Sequence, residues 1–171
     1  MSYSAARPLD PLRWLGIPAL ACIAASLVLA TPLRVFGVQL PEPVFAMVPA
    51  FAWAVIRPSM LAPFVLLAIG VFLDALWGSS LGLWALSLLI AYASVLATRS
   101  WMSGQSPPIM WAWYVATTGV ALLAGYLFTM MDAKGAVSVG AILRQLFWTG
   151  LLYPFAHQLI SRFEDADVRF K

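Results

Sequence analysis

The chain has 171 residues, of which 63% are hydrophobic and 10% charged. Soluble domains are about half apolar and about a quarter charged, so this composition, with a mean hydropathy of +0.89, excludes an ordinary soluble domain and points to a membrane protein. The net charge of +3 comes from singly scattered basic residues, and without a basic cluster to follow a phosphate backbone, nucleic acid is not an expected partner.

A bilayer crossing needs about 20 apolar residues. Six segments are expected to cross, at about 14–31, 39–56, 60–77, 81–98, 109–131 and 137–160, forming a single membrane domain over 1–171. The first, Trp14 to Thr31, follows Arg7 and Arg13 in the manner of a signal peptide. Five more spans follow it, so retention is expected rather than cleavage. Its Cys22 is the only cysteine, which rules out an intrachain disulfide. Ala19 stands where a lipidation signal wants leucine, and Cys22 reads as a small buried apolar residue. The second segment is interrupted by Pro41, Pro43 and Pro49. A kinked or partly re-entrant path is expected there, which is allowed where protein covers the loosened backbone.

The third segment runs into "LLAIGVFLDALWGSSLG", Leu66 to Gly82, where an aspartate interrupts an apolar helix. Leu66, Gly70, Asp74 and Gly78 share one helix face, and glycines on that face permit close approach of another helix. An ionisable group inside a span is a functional candidate by default. The plainer reading is that Asp74 caps the following turn. "GSSLG" also matches G-x-S-x-G with Ser80 at its centre. A serine nucleophile needs a base within hydrogen-bond reach, and the single histidine, His157, belongs near the opposite end of the sixth span. Catalysis is therefore not expected. Gly78 and Gly82 are expected to form a tight turn, with Ser79 or Ser80 capping the fourth helix.

Arg144 lies inside the sixth segment, about 10 Å from its outer end at 1.5 Å per residue. That depth is similar to that of Asp74. Arg144 either pairs with Asp74 or snorkels to the headgroups. The tryptophans Trp14, Trp77, Trp101 and Trp111 fall near span ends, where indoles prefer the interface. Neither a Cys/His cluster at ligand spacing nor a phosphate-cradling glycine loop is present, so no metal or cofactor is expected. Orientation follows the basic residues of the loops. Arg7, Arg13, Arg57, Arg99, Arg162, Arg169 and Lys171 fall on one side, and Arg34 and Lys134 on the other. Both termini are thus expected in the cytoplasm, with no soluble domain.

"GVFLDALWGSSLGLWALSLLIAY", Gly70 to Tyr92, resembles the bacterial rod-shape-determining protein MreD family. That family carries a glycine, an aspartate four residues on, a "GS-small-LG" turn and an apolar helix ending in Ala-Tyr. "LPEPVFAMVPAFAWAVIRP" is similar to its second segment. "GLLYPFAHQLISRF", with the aromatic-proline pair Tyr153–Pro154, is similar to its last span. The proline-rich second segment and the loop Ser103 to Pro108 depart from the family pattern.

The resemblance implies a non-enzymatic, multi-pass subunit of the cell-elongation machinery in the bacterial inner membrane. Such a subunit binds an MreC-like single-span protein. Through it, the subunit meets the MreB filament and the lateral-wall peptidoglycan synthases. The implied fold resembles the substrate-binding subunits of energy-coupling-factor transporters. A homodimer is compatible with the small-residue faces. The alternative, from the transport class, is a substrate-binding membrane subunit for a small molecule, built on polar residues of the spans such as Ser87, Tyr92, Thr117, Thr118, Gln145 and Thr149.

Overall fold

Apolar runs without internal breakers close into helices, and prolines mark where those helices begin. The computed structural model describes residues 12–29, 34–35, 38–39, 43–56, 58–102, 104–132 and 138–168. A π-helical turn, Leu12–Gly16, leads into α1, Ile17–Leu29. A two-residue antiparallel pair follows, β1 (Arg34–Val35) against β2 (Val38–Gln39). The remaining elements are α2 (Met47–Ile56), α3 (Leu61–Trp77), α4 (Leu83–Met102), α5 (Pro107–Asp132), α6 (Val139–Gly150) and α7 (Tyr153–Val168). Pro18, Pro49, Pro63, Pro107 and Pro154 each sit in the first turn of their helix. The missing N–H costs nothing there, because the first four amides have no intrahelical acceptor. The start of α4 carries no proline and is held differently, as described below.

The short α2 occupies the centre. Every residue from Met47 to Ala54 is buried, against α4 and α7. Trp53 Nε1 donates to the Trp14 carbonyl at 3.0 Å, tying α2 to the turn before α1. The Phe51 ring meets Tyr114 edge-on at 5.2 Å. Around this centre α3 packs on α4, α4 on α5 and α5 on α6. The α3–α4 contact is the tightest. A Cβ placed on Gly70 would lie 2.2 Å from the Ala85 Cα, so the two backbones touch, as the small-residue face predicts. The α2–α3 connection is fastened from α4. Arg99 Nη2 donates to the Ile56 carbonyl at 3.4 Å, and Tyr92 exchanges hydrogen bonds of 3.3 Å with the Ser59 N–H and carbonyl.

Two expected spans differ from the observed helices. The second was placed over 39–56, but only Met47–Ile56 is helical and Gln39 lies in β2. Ten residues reach about 15 Å, half a hydrocarbon core. The burial that a re-entrant segment requires is present along the helix. The sixth was placed as one helix over 137–160, yet α6 stops at Gly150 and α7 starts at Tyr153. Pro154 at the second position of α7 cannot continue a helix from α6. The groups freed around the break are satisfied by neighbours. The buried Thr149 Oγ1 accepts the Val44 N–H at 3.2 Å, the Gly150 carbonyl accepts Trp111 Nε1 at 3.2 Å, and the Tyr153 hydroxyl donates to the Pro107 carbonyl at 3.1 Å. The start of α2 and the break between α6 and α7 therefore brace each other. Within the described residues, α4 and Pro107–Met131 of α5 are long and apolar enough to cross a membrane.

Gly70→Ala should destabilise the protein by about 3 kcal/mol, the upper end of overpacking costs. Thr149→Val orphans a buried amide and should cost about 1–3 kcal/mol. Denaturant unfolding in detergent, followed by tryptophan fluorescence, checks both.

Candidate functional site

The polar centre of the molecule is built where α3 turns into α4. Helix α3 ends on Gly78, whose φ of 63° is left-handed. The Gly78 N–H bonds to the Asp74 carbonyl, and the Ser79 N–H bonds to the same oxygen at 3.1 Å. This closes the helix in the manner of a Schellman turn, for which glycine is the usual residue. Gly82, at φ 97°, makes the second bend. The bends return the chain over the end of α3, and α4 starts directly above the Asp74 side chain.

Asp74 is 1% exposed. Its carboxylate accepts three hydrogen bonds: Ser79 Oγ to Oδ1 at 2.7 Å, the Gly82 N–H to Oδ2 at 2.8 Å, and the Trp84 N–H to Oδ1 at 3.0 Å. Two of the donors are opening amides of α4. Asp74 thus caps that helix from the end of the preceding one, and Ser79, one of the two expected capping serines, gives its hydroxyl to that carboxylate. A negative charge at a helix N-terminus also meets the positive end of its dipole. Beside the carboxylate, Trp77 and Trp84 pack edge to face at 5.0 Å. A carboxylate has roughly four acceptor positions, and these three donors leave it little capacity to bind a ligand or move a proton. The geometry makes it a clamp.

The other expected site residues distribute as follows. Gly70 lies on the packed face, one turn before Asp74. Gly78 shares that face by spacing, yet nothing lies within 4 Å of where its Cβ would be. Its role is the left-handed turn, which corrects the expectation that it approaches another helix. Ser80 is exposed on the rim of an apolar groove of about 290 Å³, shared with Leu81, Leu83, Phe128 and Met131. Arg144 is exposed, and its Nε donates to the Gly140 carbonyl at 3.3 Å within its own helix. Of the two readings left open for Arg144, the pair with Asp74 is not made, and the α4 amides already occupy the carboxylate. Tyr153 and Pro154 belong to the α6–α7 break. Ser80 sits beside Phe128 and Met131, whereas His157 stacks at 5.9 Å on Tyr153, which bonds to Pro107. Phe128 and Pro107 are about 32 Å apart along α5 at 1.5 Å per residue, so Ser80 and His157 cannot act together.

Sequence reasoning passed over Arg99 and Trp111 as tertiary hydrogen-bond donors. Their positions near helix ends were the available signal, since helix ends leave carbonyls free. Among the described residues no three His, Cys, Asp or Glu side chains gather at a metal-binding distance.

Asp74→Leu should orphan the buried Trp84 amide, the half-buried Gly82 amide and one hydroxyl and cost about 3 kcal/mol or more, taking about 1–3 kcal/mol per lost acceptor. Asp74→Asn keeps one acceptor oxygen and should cost about half as much. Arg144→Asp should leave stability within about 0.5 kcal/mol, and combining it with Asp74→Arg should rescue nothing. Unfolding midpoints of the four variants check this set.

No protein-family model, curated protein or solved structure matches the chain.

Proposed function

We propose that this chain is a non-enzymatic, six-span subunit of the bacterial cell-elongation complex in the inner membrane, with both termini in the cytoplasm. Its direct partner in this reading is an MreC-like single-span protein, which links it to the MreB filament and the lateral-wall peptidoglycan synthases. The observation that carries the reading is the Gly70–Tyr92 hairpin. The residues that bear the resemblance to the MreD family are the ones that build it: Gly70 against Ala85, Asp74 on Gly82 and Trp84, and Tyr92 on Ser59.

Membrane insertion has separate support. Only 39% of the apolar window in α4 and 28% of that in α5 is buried, whereas a core helix of a soluble protein would be mostly covered. Large apolar side chains stand exposed on every long helix, among them Phe64, Trp101, Phe128 and Phe155. A surface of this kind suits lipid. In the six-span reading, α6 and α7 together make one interrupted crossing and α2 a re-entrant half-crossing beside it.

A second reading, a substrate-binding subunit of a small-molecule transporter, is favoured by one feature, a small half-open pocket between α4, α5 and α6 where Ser87, Tyr126, Thr129 and Gln145 stand among apolar side chains.

Affinity purification in mild detergent from the native host distinguishes the two. An MreC-like single-span protein should dominate the co-purifying material. A folded protein that brings down a transport ATPase instead would favour the second reading. Reporter fusions after Arg99 and Lys171 should report cytoplasm, and fusions within 132–135 the periplasm. A periplasmic C-terminus would overturn the topology.

A further inference from the structure

Helix α6 is held almost entirely by one end. Of its 12 residues only Thr149 and Gly150, at the break before α7, are buried. The stripe Val139, Leu143 and Phe147 is apolar and exposed, at 60%, 60% and 63%. One charged side chain, Arg144, stands in this helix, and it is exposed beside that stripe. A cation among apolar side chains on the surface of a membrane helix requires a counter-group.

The arginine is oriented as well as exposed. Its Nε donates to the Gly140 carbonyl at 3.3 Å, so the side chain runs back towards the start of α6. That brings the guanidinium about one turn, roughly 5–6 Å, nearer the helix start than its own Cα. Arginine carries five N–H donors, and one is used here. Among the described residues, the four on Nη1 and Nη2 have no acceptor and no carboxylate pairs with the group. Nothing lies within 4 Å of where a Cβ on Gly140 would be, so the space beside the fork is open. A guanidinium fork matches a phosphate with two parallel hydrogen bonds.

We infer that Arg144 docks one anionic phospholipid at the start of α6, with the lipid phosphate on the Nη fork beside Gly140 and an acyl chain along Val139, Leu143 and Phe147. Lipid fits this face better than a second helix does. Helix contacts in membranes rely on small residues that let backbones approach, and Leu143 and Phe147 hold a neighbouring backbone away. A zwitterionic head would bring its ammonium near the guanidinium, where like charges repel, whereas phosphatidylglycerol adds no second cation. The inference rests on membrane insertion of α6 and not on the identity of a protein partner, so it survives failure of the cell-elongation reading.

The test uses the full chain in a neutral detergent, with phosphatidylglycerol and phosphatidylcholine of the same acyl chains as probes and native mass spectrometry to count bound lipids. The first phosphatidylglycerol should bind saturably and several-fold more tightly than phosphatidylcholine. Arg144→Gln should lower that affinity several-fold with an unchanged unfolding midpoint, and Arg144→Lys, which keeps the charge without the fork, should restore only part of it. Gly140→Leu leaves the charge but fills the open space, and should weaken binding as well. Arg162→Gln removes an exposed cation from α7 instead and should change nothing. Equal affinity for the two lipids would overturn the site. So would phosphatidylglycerol binding that Arg144→Gln leaves intact, or an equal loss in Arg162→Gln. Intact lipid binding in Arg144→Gln together with loss of a co-purifying membrane protein would assign the face to a partner helix. Should Gly140→Leu fail to fold, the Arg144 and Arg162 variants decide.

Discussion

A buried carboxylate with its acceptors filled by the backbone of the next helix is the constraint on which this fold depends. An unpaired charge within a span costs about 2.5–3.5 kcal/mol on insertion scales. Asp74 avoids that cost through three hydrogen bonds from Ser79, Gly82 and Trp84. Hydrogen bonds to charged groups each contribute about 1.5–3 kcal/mol, so the clamp turns a liability into a fastening. It works because the two helices are already in contact one turn away, at Gly70 and Ala85. A larger residue at 70 would lift α4 and draw the Gly82 and Trp84 amides off the carboxylate. Packing and capping are therefore one device, and the rest of the bundle is laid against the hairpin they hold.

The other end of that hairpin is fixed by longer side chains. Tyr92 and Arg99 reach from α4 to the carbonyls of Ser59 and Ile56, which sets where α2 ends. The start of α2 is set by Thr149, at the break between α6 and α7. A half-length helix and an interrupted helix would each expose backbone groups to an apolar surrounding. Placed side by side, each covers part of the other's deficit. This is the condition under which irregular backbone is tolerated at membrane depth.

Much of this was legible in the residues. The spacing of Gly70 and Asp74 identified the packed face, and the G-S-S-L-G run identified the turn and the amides near Asp74. The prolines of the second segment announced its irregularity. One feature was left undecided and another misread, because charge and hydropathy are blind to direction and continuity. Arg144 matches Asp74 in depth, but depth does not specify the face of the helix, and its side chain lies on the exposed one. The run from 137 to 160 is mostly apolar, so hydropathy reads it as one helix. Gly150 followed by Pro154 was the punctuation that marks its end and restart. Ser87 and Gln145 stood out as polar residues of the spans, but their meeting with Tyr126 and Thr129 in one pocket was not legible, since the four come from three helices whose register only the packing fixes.

The central claim is that the Asp74 carboxylate holds the first turn of α4. Site-resolved amide hydrogen exchange of Gly82 and Trp84 in nanodiscs tests it most directly, with the amide of Leu88 as an internal reference. Both opening amides should be protected to nearly the level of Leu88. In Asp74→Leu they should exchange orders of magnitude faster while Leu88 stays protected. Fast exchange of Gly82 and Trp84 in the unaltered protein, or protection unchanged by Asp74→Leu, would contradict the account.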